Sequence, residues 1–201
     1  MWLYLIQGIG YGFAAAAQPG PLQTYLISQS LTKGWRRALP AAFAPLISDG
    51  PIIVLCLLVL RQVPDSFKHV LYIVGGLFVL YLSYGAYKAW KNFDSNLPST
   101  ESGTQQSVLK AALVNILAPG AYIFWSLVTG PILITGWRVT PIFGIVFMLG
   151  FYITFVLCLM LVIFIFGTMQ AFGQKFRRAL VGISVAALFC FGLYQLWLGL
   201  H

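Results

Sequence analysis

Residues 139–174, VTPIFGIVFMLGFYITFVLCLMLVIFIFGTMQAFGQ, contain no Asp, Glu, Lys or Arg. A bilayer core about 30 Å thick is crossed by a helix of about 20 mainly apolar residues, so this stretch holds at least one span. Two further blocks are equally free of charge, Met1 to Thr32 and Ala111 to Trp137. All are solidly apolar rather than alternating, which favours helices over barrel strands. The whole chain is 60% hydrophobic and 8% charged, whereas a soluble domain carries roughly 25% charged residues. Water is therefore not its solvent. Working outward from the longest block predicts an all-α integral membrane protein with six helices, at about 2–31, 38–60, 69–90, 109–134, 140–168 and 179–200. No length remains for a soluble domain.

The net charge of +8 invites a nucleic-acid reading, but the cations are distributed by topology. The loops after helices 1, 3 and 5 carry Lys33, Arg36 and Arg37, then Lys88, Lys91 and Lys110, then Lys175, Arg177 and Arg178. The opposite side carries only Arg61, Lys68 and Arg138. The positive-inside rule puts the richer side in the cytoplasm and both termini outside. The basic balance then reflects topology and contact with anionic lipid, with no nucleic-acid partner. Ala14-Ala15-Ala16-Ala17 resembles a signal-peptidase site, yet a signal peptide opens with positive charge and the first cation here is Lys33. An uncleaved first helix is expected.

The chain also repeats itself. Gly34-Trp35-Arg36 returns as Gly136-Trp137-Arg138, and Val54-Leu55-Cys56-Leu57 as Val156-Leu157-Cys158-Leu159, both at an offset of 102. Pro19-Gly20 returns as Pro119-Gly120, and Gly85, Tyr87 and Trp90 as Gly192, Tyr194 and Trp197. Four matches in one order at nearly one offset divide the chain into a first three-helix repeat, 1–90, a polar cytoplasmic linker, 91–108, and a second three-helix repeat, 109–201. Three is odd, so the second copy enters the membrane from the other side. Inverted repeats of this kind build many secondary transporters, with the binding site at the midplane between the copies.

Helices 1 and 4 are each expected to break at Pro-Gly. Proline removes an N–H and clashes with the preceding turn, glycine permits unwinding, and freed backbone groups must avoid lipid. The second halves then start near Pro21 and Ala121, and their N-termini converge from opposite sides. Such termini present unpaired N–H groups and roughly half a positive charge, which suits a carboxylate. Asp49 is the only acid in any apolar span. A buried acid costs roughly 2.5–3.5 kcal/mol on insertion scales, so it ordinarily faces a cavity or partner. Its repeat counterpart is Phe151, which makes the acid a one-sided departure from symmetry. The expected substrate-binding set is Gln18, Pro19, Gly20, Pro21, Gln23, Thr24, Asn115, Pro119, Gly120, Ala121, Tyr122 and Trp125, with Asp49 coupling to protons. A zwitterion would place its carboxylate on the helix ends and its ammonium group on Asp49, where it competes with a proton. Simple proline kinks and ordinary interhelical hydrogen bonds are the bland alternatives for these residues.

With these residues in view, the sequence resembles the lysine exporter (LysE/RhtB) family of amino-acid efflux proteins. Pro19-Gly20-Pro21, Gly34 in the basic loop and Asp49 are similar to its N-terminal signature, and Asn115 to Trp125, ending Tyr122-Ile123-Phe124-Trp125, to its fourth-helix signature. The resemblance covers nearly the whole chain. It implies a six-helix carrier of the bacterial inner membrane that exports amino acids or related metabolites in exchange for protons, without a cofactor. The chain departs from many members at Leu22 and at Ala118-Pro119-Gly120, both in the expected pocket, where substrate identity is set. Self-association is compatible with the sequence, which leaves the oligomeric state open.

The rival from another class is a transmembrane thiol–disulfide carrier using the repeat-related Cys56 and Cys158. Carriers of that kind place their cysteines beside the proline breaks, where this chain has Gly20 and Gly120, and a free cysteine is also an ordinary buried residue. A metal exporter would need clustered carboxylate, His or Cys ligands, and His69 and His201 fall at span ends, so no metal site is expected. A membrane hydrolase lacks a buried His to act as base, and no enzymatic activity is expected.

Overall fold

The computed structural model describes residues 1–18, 20–56, 65–91, 104–169 and 174–200. Pro19, Arg61 and His201 lie outside them, as do the side chains of Lys68 and Arg177 and most of the linker expected at 91–108. Among the described residues the chain is helical throughout and has no strand. Helix α1 (Trp2–Ala17) is followed by α2 (Pro21–Lys33), a short α3 (Trp35–Ala38), a 3-10 turn over Leu39–Phe43 and α4 (Ala44–Val54). Then come α5 (Asp65–Lys91), α6 (Thr104–Ile116), α7 (Pro119–Phe124), a π-helical turn over Trp125–Thr129, α8 (Gly130–Val139), α9 (Pro141–Thr168) and α10 (Gln174–Leu200). Three stretches are long and apolar enough to cross a membrane by length and composition: Pro119–Val139, Pro141–Thr168 and Arg178–Leu200.

Prolines account for most of the departures from regular helix. Pro21, Pro119 and Pro141 each occupy the first turn of a helix, where the missing N–H would be unpaired anyway. The second expected helix is not one smooth rod. Pro40 lies in the 3-10 turn and Pro45 at the start of α4, so the chain tightens where successive ladder donors are missing. The π turn precedes Pro131, which removes the donor that would serve the Leu127 carbonyl. Within it Thr129 Oγ1 donates to the Phe124 carbonyl at 3.2 Å, five residues back.

Helix α9 shows how the molecule meets its solvent. Phe147, Phe151, Phe155, Leu159 and Ile163 form a buried stripe. Ile142, Ile145, Leu149, Ile153, Leu157 and Leu161 form an exposed one that is just as apolar. A helix hydrophobic on every side belongs in a core or a membrane, and the exposed face of α9 suits a lipid solvent.

Between lipid-solvated helices the hydrophobic drive is weak, so close packing and small residues carry association. Helix α1 lies along α9 with Gly8 and Gly12 against the backbone carbonyls of Phe147 and Phe151. From the other side, Gly150 faces the Leu5 carbonyl, which a Cβ would meet at 3.1 Å. Helices α5 and α10 form the other extensive pair, with Gly76 and Gly192 each close to the other's carbonyl. Helix α4 packs on α6, and α2 lies between α9 and α10.

Candidate functional site

The break between α1 and α2 is made by extended backbone at Gln18 (φ −64°, ψ 120°) and Gly20 (φ −167°, ψ 178°). Pro21 restarts the helix, and no side chain caps its first turn. Gln23 reaches back across the gap, its Nε2 donating to the Ala15 carbonyl at 3.1 Å. Thr24 Oγ1 donates to the Gly20 carbonyl at 2.9 Å. Gln23 thus serves a carbonyl whose helix partner would have been the N–H that Pro19 lacks, while the Gly20 carbonyl takes both the hydroxyl and the backbone N–H of Thr24, the latter at 3.1 Å. Gln18 is exposed and Gly20 half-buried.

The second break has the same form but sits slightly earlier than Pro119-Gly120. Helix α6 ends at Ile116, Ala118 is extended (φ −88°, ψ 111°), and Pro119 already begins α7, again without a side-chain cap. The helix therefore restarts at Pro119 rather than near Ala121, because proline is suited to a first turn. Ala121 N–H bonds the Ala118 carbonyl at 3.1 Å, and Ala118 N–H bonds the Asn115 carbonyl at 3.2 Å. Pro119 is buried, Ala121 half-buried and Gly120 exposed. The Leu117 carbonyl rests directly on Gly75 of α5.

Asp49 of α4 is 3% exposed and turned to this second break. Asn115, in the last turn of α6, donates through Nδ2 to Asp49 Oδ1 at 2.5 Å and to Ser48 Oγ at 2.8 Å. Ser48 in turn donates to the Ala44 carbonyl at 3.1 Å. Tyr152 of α9 donates its hydroxyl to Asp49 Oδ2 at 3.2 Å. Trp125, in the π turn and 1% exposed, has its side chain in hydrogen-bonding reach of the same carboxyl. Its ring stacks with Tyr152 at 6.4 Å between centroids and meets Phe151 edge-on at 5.4 Å. Four elements therefore converge on one acid, and every named contact is a donor. These donors fix the orientation of the carboxyl group, so a cationic group arriving there would find its acceptor already positioned.

Of the expected site residues, Asp49, Asn115 and Trp125 come together. Tyr122 is buried nearby, its carbonyl accepting from Cys56 Sγ at 3.7 Å. Gln18, Gly20, Pro21, Gln23 and Thr24 form the other break, and Pro19 lies outside the described residues. Sequence reasoning missed Tyr152 and Gln195. Tyr152 is the lone tyrosine of the charge-free α9 and follows Phe151, the repeat counterpart of Asp49. Gln195 of α10 is buried with an unpartnered Oε1, 3.5 Å from the place of a Cβ on Gly75, and so beside the second break. A glutamine in an otherwise apolar final span was the available signal. Cys56, Cys158 and Cys190 are all free thiols, and only Cys56 is fully buried. Among the described residues, no cluster of three or more His, Cys, Asp or Glu is placed to hold a metal ion.

Compared with known protein families, residues 13–199 match the family model described as LysE type translocator. No curated protein and no solved structure gives a significant match.

Proposed function

The chain belongs to the LysE type translocator family, and from that premise we propose that it is a secondary active exporter of amino acids or related small zwitterions, driven by proton entry. Membership makes it a multi-pass membrane transporter of a small molecule. The observation that carries the finer reading is the buried Asp49, held by Asn115 and Tyr152 at the interruption between α6 and α7. Asn115 bonds Oδ1 and Tyr152 bonds Oδ2, and with Trp125 they take up three of the about four acceptor sites a carboxylate offers, which leaves capacity for a further donor. An ammonium group fits that role. The uncapped starts of α2 and α7 offer N–H groups to a carboxylate, and Gln195 Oε1 offers an acceptor in want of a donor.

Proton coupling follows from competition for one acid. Asp49 neutralised by a proton or by a bound ammonium group is less costly to carry through a reorganising protein than the bare ion. If only the two neutralised forms interconvert between inward and outward faces, solute leaves as protons enter.

The paired architecture supports this reading. Helices α5 and α10, counterparts in the proposed repeat, pack on each other, and the pair α1–α9 is matched by α6–α4. Both broken helices restart on a proline after an extended residue. We place the protein in the bacterial inner membrane, as the family implies, with both termini outside on the strength of the cation distribution.

The test is efflux of a mixed amino-acid pool from proteoliposomes, with and without an inward proton gradient. The wild-type protein loses solute faster with the gradient, and Asp49→Asn abolishes that acceleration. Gradient-dependent efflux by Asp49→Asn at the wild-type rate would overturn the coupling role. A thiol relay is not favoured by any contact of the cysteines, and Cys56→Ser with Cys158→Ser should leave efflux unchanged.

A further inference from the structure

Between α5 and α10 lies a groove of about 470 Å³. Leu80, Tyr84, Tyr87 and Trp90 of α5 line it with Ala186 and Phe189 of α10. Its lining is almost wholly apolar, and the hydroxyl of Ser83 is already spent on the Val185 carbonyl at 3.2 Å. Tyr84 is 68% exposed, Tyr87 43% and Phe189 50%. The small residues Gly182 and Ala186, one turn apart on α10, give the groove its depth.

One end of the groove is basic. Trp90 closes it there, its Nε1 donating to the Arg178 carbonyl at 3.0 Å and its ring lying 5.3 Å beneath the Arg178 guanidinium. Lys88 and Lys91 end α5 at that level, Lys175 and Arg178 begin α10, and all four are exposed. Among the described residues the acids are Asp49 and Asp65, and Asp65 starts the opposite end of α5. From Leu80 to Trp90 the groove runs about 15 Å along the helix, about half of the ~30 Å hydrocarbon core. It therefore traverses one leaflet, with cations and an indole at the headgroup level.

We infer that this groove is a binding site for one anionic phospholipid, its acyl chain lying against Leu80, Tyr84 and Phe189 and its phosphate held by Arg178 and Lys88. Apolar length matched to one leaflet and a basic rim that no acid among the described residues faces select this occupant over a zwitterionic lipid. Basic pockets between membrane helices take anionic headgroups by this same chemistry.

The experiment is native mass spectrometry of the full chain in detergent, supplied with equal dioleoylphosphatidylglycerol and dioleoylphosphatidylcholine. The wild-type protein retains the anionic lipid at least tenfold more. Each cation removed lowers that preference about fivefold, so Arg178→Gln with Lys88→Gln brings the two lipids to near parity. Ala186→Trp, at an exposed position, fills the groove and abolishes retention of the anionic lipid. Should that variant not be recovered, Tyr84→Trp fills the groove from α5 and serves the same purpose. Equal retention of both lipids by the wild type overturns the assignment, as does undiminished retention of phosphatidylglycerol by the filled variant. A lipid-free dimer that Ala186→Trp converts to monomer also overturns it, and assigns the groove to a second copy of the chain.

Discussion

Replacing Asn115 by alanine should destabilise the protein chiefly through Asp49. The amide of Asn115 donates to both Asp49 and Ser48, so the substitution removes two interhelical bonds and leaves a buried carboxylate short of a donor. A hydrogen bond to a charged group contributes about 1.5–3 kcal/mol and a neutral one ~1 kcal/mol, while interhelical bonds in membrane proteins run lower, averaging ~0.6 kcal/mol. Taking the lower part of each range, Asn115→Ala costs about 2–3 kcal/mol in the wild-type background. In an Asp49→Ala background only the Ser48 bond is lost, at about 0.6–1 kcal/mol. The coupling energy is then about 1.5–2 kcal/mol. The assay is a double-mutant cycle by reversible unfolding in mixed micelles, at a pH of about 8, where carboxylates ordinarily carry charge. Equal costs of Asn115→Ala in both backgrounds, within the ~0.3–0.5 kcal/mol expected of independent sites, would refute the reasoning that this amide holds the acid.

Three further outcomes are expected. Tyr152→Phe deletes the second donor to Asp49 without changing ring volume, so it costs roughly 1–2 kcal/mol in unfolding titrations and lowers the efflux rate while the fold is kept; a wild-type rate would exclude the hydroxyl from the site. Gly8→Ala puts a methyl against the Phe147 carbonyl and costs about 1–3 kcal/mol by overpacking, whereas Gly10→Ala, with open space around it, stays within ~0.5 kcal/mol; similar melting shifts for the two would refute the close contact of α1 and α9. Gln23→Ala leaves the Ala15 carbonyl unserved and costs about 1 kcal/mol, as read by thermal denaturation in detergent; an unchanged midpoint would remove Gln23 from the bridging role.

Much of the fold was legible because membranes impose simple rules. The longest charge-free block announced the apolar helix α9, and Pro19-Gly20-Pro21 announced the interruption after Ala17. What escaped was local. That the second helix begins as a 3-10 turn through Pro40 depends on how missing donors are shared with neighbours, which periodicity does not report. The break in the fourth helix falls at Leu117–Ala118, two residues from its sequence signal, since a proline as readily begins a helix as ends one. Asp49 and Asn115 stood out as polar residues in apolar spans, but Gln23 and Thr24 did too, and their side chains turn out to serve backbone carbonyls. Nothing in residue type separates a polar group that heals a break from one that faces a ligand. Tyr152 was passed over because tyrosine in such a helix reads as packing until its partner across the bundle is known.

The contact of the Leu117 carbonyl with Gly75 has a mechanical implication. Having no side chain between them, the interrupted segment and α5 touch main chain to main chain. Helices α5 and α10 are themselves locked by facing glycines, so the segment bears on a stiff rail rather than on yielding side chains. A gating stroke of that segment must slide along the rail or lift off it. In the transport cycle proposed above, movement of the segment that holds Asn115 would bear on residue 75.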